Sequence, residues 1–269
     1  MAVQLEDRAW RELNETRVAR SPWRLRGVDG DEAVIDTRRA LLVWEPRRVT
    51  PAFAVPEEDV QAAVELVGAP RPLTRGESAR PVLDPSVPFD AHTAMGEALR
   101  IRTAAGREVD AFRIEDPQLE GFVVVDFDGL DWFEEETPLV AHPRDPYHRI
   151  DVRTTGAHVV MSLDGVVVVD TAEARLLGET MLPLRWYVEA SAVRVPLEAS
   201  TTMTACAYKG RAAYRSARIG ERLVRDLFWT YEHPLSDGRD VQGLLGVYAE
   251  RLDVVVDGVP QARHGLLRP

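Results

Sequence analysis

Short apolar runs broken by turn residues dominate the pattern along this chain. His158-Val159-Val160-Met161-Ser162-Leu163 leads into Asp164-Gly165 and then four valines. Asp-Gly between β-rich runs predicts a tight hairpin, because both turn positions need positive φ. Leu252-Asp253-Val254-Val255-Val256 before Asp257-Gly258 reads the same way. Trp186-Tyr187-Val188 and Leu227-Phe228-Trp229-Thr230-Tyr231 are aromatic, strand-like segments. Helical periodicity is confined to short stretches. Leu5, Ala9, Trp10, Leu13 and Arg17 are spaced for an N-terminal helix, and residues 57–66 and 241–250 are expected to be short helical pieces.

The pattern occurs twice. Val34-Ile35-Asp36-Thr37 and Leu41-Leu42-Val43-Trp44-Glu45 are echoed by Val168-Val169-Asp170-Thr171 and Leu176-Leu177-Gly178-Glu179. Asp36 to Asp170 and Glu45 to Glu179 are the same step, 134 residues. Further on, Asp110-Ala111-Phe112 parallels Asp226-Leu227-Phe228, and Glu120-Gly121-Phe122 parallels Gln242-Gly243-Leu244. Two prolines in His142-Pro143-Arg144-Asp145-Pro146-Tyr147-His148 mark a junction, and residues 68–91 form a proline-rich loop. The expected organisation is an N-terminal helical segment (1–20), a diverged first copy (21–141) and a second copy (142–269). The fold class is mainly β: two tandem domains related by duplication, with short helices.

A net charge of −11 disfavours nucleic acid and anionic membrane surfaces as partners. The single cysteine rules out an internal disulfide and suits a reducing cytoplasm. Paired cysteines for structural zinc are missing, the six histidines are scattered, and no glycine-rich nucleotide loop or nucleophile elbow occurs. Neither metal nor cofactor is expected. The expected partner is a small-molecule ligand, with homo-oligomerisation left open.

The densest polar cluster is Thr204-Ala205-Cys206-Ala207-Tyr208-Lys209-Gly210, followed by Tyr214. On a strand, Thr204, Cys206 and Tyr208 share one face. Gly210 marks a bend that brings Lys209 to the same face. A desolvated lysine can act as a base or form a Schiff base, and a thiol near a cation can act as a nucleophile. Glu179 follows a strand and is a candidate proton-transfer group. Plainer readings exist: a lone cysteine is often a small apolar residue, and a turn lysine is often solvated. Tyr208, Tyr214, Trp229 and Tyr231 suit a pocket wall.

These residues carry a resemblance. Asp164-Gly165, Glu179-Thr180, Pro183, Trp186-Tyr187, Thr204-x-Cys206-x-Tyr208-Lys209-Gly210, Tyr214, Asp226, Trp229, Tyr231, Pro234 and Gly243 resemble domain-of-unknown-function family 427. Ala207 stands where that family usually has proline. The linker at 142–149 is similar to a stretch of two-copy actinobacterial members. The resemblance implies an Mss4-like, β-tent fold without the zinc site of that wider group. A nucleotidyltransferase label attached to the family finds no Gly-Ser with paired aspartates here. The first copy reads His92-Thr93-Ala94-Met95-Gly96 at the matching place, so its site is expected to have lost its polar members and to be structural.

The leading expectation is a cofactor-independent enzyme acting on a small organic metabolite, aromatic or carbonyl-bearing. Lys209, Cys206, Tyr208 and Glu179 would be catalytic; Tyr187, Thr204, Gly210, Tyr214, Trp229 and Tyr231 would bind substrate. The alternative is a binding or sensing module without turnover. A third reading is an interaction scaffold in which the motif is packing, which requires Lys209 in solvent and Cys206 sealed in apolar core.

Overall fold

The computed structural model describes residues 5–262; the first and last few residues of the segments expected at 1–20 and 142–269 lie outside them. The chain divides into two compact units, Met1–Asp145 and Pro146–Pro269. The division falls between the two prolines of the junction.

The first unit opens with α1 (Leu5–Glu12) and continues with β1 (Arg17–Arg20), β2 (Leu25–Asp29), β3 (Glu32–Thr37), β4 (Leu41–Trp44) and β5 (Ala52–Pro56). After these come β6 (Ala63–Gly68), the short α2 (Arg75–Ala79), β7 (Gly96–Arg102), β8 (Glu108–Ile114), β9 (Phe122–Val125), β10 (Asp131–Glu134) and β11 (Thr137–Pro138). They form a seven-stranded sheet, β1-β4-β5-β9-β8-β7-β6, and a four-stranded sheet, β11-β10-β2-β3. Alternation decides which side chains go inward. Leu25 and Ile35 from the small sheet meet Leu42, Phe53, Ile101, Val109 and Val123 from the large one in a single core.

The second unit contains β12 (Ile150–Thr154), β13 (Val159–Leu163), β14 (Val166–Thr171), β15 (Arg175–Glu179), β16 (Leu182–Val188) and β17 (Leu197–Cys206). It ends with β18 (Gly210–Ile219), β19 (Arg222–Thr230), β20 (Leu245–Val247), β21 (Asp253–Val256) and β22 (Val259–Pro260). Its sheets run β12-β15-β16-β20-β19-β18-β17 and β14-β13-β21-β22. The orders coincide strand for strand with the first unit, β1 answering to β12 and β11 to β22. Both Asp-Gly turns have positive φ at both residues: 51° and 80° at Asp164-Gly165, 49° and 80° at Asp257-Gly258.

Three expectations need correction. Arg17 lies on β1, so helical spacing ends before it. Residues 57–66 hold one 3-10 turn, Glu57–Asp59, and then enter β6. Residues 241–250 hold β20 between the 3-10 turns Ser236–Val241 and Ala249–Arg251. In both places short 3-10 turns sit against a strand whose backbone donors are taken by a sheet neighbour, which outweighs weak local helix preference.

The parallel drawn at Phe112 also shifts by one residue. Ala54 and Phe112 both face Val124, while Tyr187 and Trp229 both face Gly246. Phe112 therefore occupies the place of Trp229, not of Phe228. A bulge explains the offset. The β18–β19 register slips between Arg215 and Ala217, next to Asp226 at φ 52°, whereas β7–β8 runs without a break.

Candidate functional site

One face of the second unit's large sheet packs on the small sheet, around Met161, Val169, Val188, Phe228 and Val247. The other face carries Leu177, Tyr187, Ala212, Tyr214, Trp229 and Tyr231. The site lies on that outer face. Cys206 pairs with Gly210, so Ala207, Tyr208 and Lys209 form the hairpin turn between β17 and β18. Gly210 closes it at φ 93°, a backbone setting that glycine adopts without strain. The Leu235 N–H donates to the Lys209 carbonyl at 3.1 Å. Gly238 lies so close that a Cβ there would stand 3.2 Å from the Lys209 backbone.

Held in this way, Lys209 donates from Nζ to Glu179 Oε2. The other carboxylate oxygen, Oε1, bonds His148 Nε2 at 3.0 Å. Side-chain exposure is 8% for Lys209, 7% for Glu179 and 15% for His148, so a buried ion pair has the imidazole against its second carboxylate oxygen. Burial alone would raise the Glu179 pKa. The His148 hydrogen bond and the charge and hydrogen bond of Lys209 outweigh it and hold Glu179 below its ordinary value. The His148 ring stacks on Tyr208, with centroids 4.2 Å apart and planes 18° from parallel.

An aromatic wall adjoins this cluster. Trp229 Nε1 donates to the Tyr187 hydroxyl at 3.0 Å, the two rings standing edge to face. Gly246 leaves room for the indole; a Cβ there would lie 2.3 Å from it. Burial pushes Tyr187 and Tyr231 well above the usual phenol range, and negative charge on Glu179 or Cys206 adds to the rise in both. Both phenols stay neutral in ordinary buffers. Cys206 is half-buried. The Tyr214 hydroxyl bonds Thr204 Oγ1 at 3.1 Å and the Tyr248 hydroxyl at 3.3 Å. Arg185 lies over the rings of Trp229 and Tyr248 and pairs with Glu250 at 2.6 Å.

The structure brings Glu179 and Lys209 together, and Tyr208 joins them through His148. Tyr187, Trp229, Tyr231 and Cys206 stand alongside. Thr204 is exposed and reaches Tyr214. Thr204 and Cys206 share a strand face as expected, but Tyr208 lies in the turn, so strand alternation does not place it. The packing reading required a solvated Lys209 and a sealed Cys206, and neither holds. Sequence reasoning missed His148, Arg185 and Tyr248. His148 lies in the quoted linker, where nothing in the local spacing ties it to Glu179, 31 positions away. Among the described residues no group of three His, Cys, Asp or Glu side chains is placed to hold a metal, and no helix is long and apolar enough to cross a membrane.

Glu179 through Trp229 fall within one continuous stretch. Residues 151–258 match the family described as domain of unknown function DUF427. No curated protein matches the chain. The DUF427 stretch contains the Cys-x-Tyr-Lys-Gly turn, Glu179 and the aromatic wall, while His148 lies just before it.

The first unit lies outside the DUF427 stretch, and it corrects the expectation that its polar members are gone. Glu45, at the place of Glu179, is also buried. His92 Nδ1 bonds Glu45 Oε1 at 2.8 Å, and the N–H groups of Thr93 and Ala94 donate to Oε2 at 2.6 and 3.0 Å. Burial raises the Glu45 pKa, but the hydrogen bond and charge of His92, with these backbone donors, outweigh it and leave a net lowering. His92 stands on the β6–β7 connection as Lys209 stands on the β17–β18 turn, and it stacks on Phe112 at 3.6 Å.

Proposed function

We propose that the second unit is a cofactor-independent enzyme acting on a small aromatic or carbonyl-bearing metabolite. The observation that carries this reading is the buried Glu179 carboxylate shared by Lys209 and His148. A carboxylate that binds two proton donors in a desolvated setting can pass a proton either way when a substrate enters. Displacement of Lys209 from Glu179 by a ligand carboxylate or carbonyl would free a base beside the aromatic wall of Tyr187 and Trp229. Arg185 and the rings beneath it suit a flat or anionic substrate. Cys206 and Tyr208 complete the reading as a nucleophile and a proton donor.

A second reading, binding without turnover, is favoured by one observation. Both oxygens of Glu179 are already engaged, and Glu45 repeats that burial in a unit without the Cys-x-Tyr-Lys-Gly turn. We also read the two units as tandem copies of one Mss4-like β-tent domain, of the two-copy type, in a cytoplasmic protein that binds neither nucleic acid nor membranes.

The test is a thermal-shift screen of aromatic and carbonyl-bearing metabolites against the full chain and Lys209→Ala, followed by mass spectrometry of each hit. A hit that stabilises the wild type alone and is converted supports the enzyme. Recovery of every hit unchanged selects the binding reading, and no Lys209-dependent hit overturns both.

A further inference from the structure

The first unit carries a cleft of about 380 Å³ lined by Pro46, Arg47, Pro70, Pro72, His92 and Met95, with other residues of the 70–95 loop. That volume suits a small ligand. Three features point to what it would take. First, the His92 side chain is only 3% exposed, and its Nδ1 is committed to Glu45. Two backbone N–H groups already donate to Glu45, whose pKa lies below its ordinary value, so Nδ1 carries the proton of that bond. Nε2 is then left with no protein partner among the described residues. A carboxylate behind an imidazole fixes the ring and strengthens the hydrogen bonding of its outer nitrogen.

Second, Arg47 lines the cleft with φ 67°, a left-handed setting that is costly for a side-chain-bearing residue. Its guanidinium donates only to the carbonyls of Ser78 and Arg80, at 3.1 and 2.9 Å, so no carboxylate among the described residues neutralises it. Arg71, on the same cleft, differs: Glu77 and Asp90 take up its charge. Third, the prolines are rigid apolar walls, and Met95 is 77% exposed at the edge.

We propose that this cleft is a second small-molecule site, independent of the second unit's site, that takes a small organic acid. The ligand's carboxylate would meet Arg47, its hydrogen-bonding group would meet His92 Nε2, and its hydrocarbon part would lie on the prolines.

The experiment is NMR of the full chain with the histidine rings labelled, titrated with benzoate, hexanoate and pyruvate. The His92 ring signals should move saturably with at least one acid. Arg47→Gln, which keeps amide donors for the Ser78 and Arg80 carbonyls, should weaken that binding about tenfold or more, as loss of a charge-assisted contact implies. Lys209→Ala should leave it unchanged, which separates failure here from failure of the second unit's site. His92 signals indifferent to all three acids overturn the proposal, and so does a shift that survives Arg47→Gln undiminished.

Discussion

At the scale of single residues, the decisive fact is that Glu179 is ionised and buried with two partners. Removing one partner of such a pair leaves an uncompensated charge, which costs more than the pair contributes. Lys209→Met is expected to destabilise the protein by about 3 kcal/mol, read from the denaturant midpoint. Lys209→Met combined with Glu179→Leu should recover much of that loss, because no buried charge then remains. The same carboxylate sets a pH dependence. Its folded pKa lies below the ordinary value of 4.5. Its contribution is therefore fully present above pH 4.5 and is lost as pH falls through the folded value. Glu179→Gln should flatten the acid limb of stability measured between about pH 3 and pH 7. Part of that limb should persist, since Glu45 is lowered in the same direction.

At the scale of elements, the hairpins were legible and the junctions between elements were not. Asp164-Gly165 and Asp257-Gly258 announce themselves because few residues tolerate two successive positive φ angles. Asp226 gives no such notice. Its bulge depends on Ser216 of the adjacent β18 and Thr202 of β17, one strand further, which hold its N–H and carboxylate, so the one-residue offset at Phe112 is invisible in the sequence. Lys209, Cys206 and Glu179 were found because they sit in a compact motif or repeat. His148 reaches Glu179 across 31 positions and Arg185 reaches Glu250 across 65, distances over which no local pattern operates. Glu45 and His92 both stand at places matched to the second unit, but nothing local pairs them across 47 positions and the long β6–β7 connection. Gly246 is a further element-scale choice, made for its neighbour. Gly246→Ala would drive a methyl group into Trp229 and should cost about 1–3 kcal/mol. The expected signature is a lower melting temperature with altered tryptophan fluorescence, from loss of the Trp229–Tyr187 bond.

At the scale of the whole molecule, the four sheets of the described residues are each closed within one unit or the other, and the second unit has an inter-sheet core of its own. The buried cluster is equally local, because His148, Glu179 and Lys209 all follow the division between Asp145 and Pro146. A chain segment that owns its strand pairings and its core meets the conditions for folding alone. The fragment from Pro146 onward should therefore show one cooperative denaturant transition. Lys209→Met should cost it the same ~3 kcal/mol as in the full chain, since the partners it abandons are all present. An unfolded fragment would mean that the first unit supplies stability its neighbour lacks. A folded fragment indifferent to Lys209→Met would mean that the charged cluster forms only in the full chain. Equal penalties in fragment and full chain would place the chemistry of Glu179 wholly within the second unit, leaving Glu45 and His92 to serve a different ligand in the first.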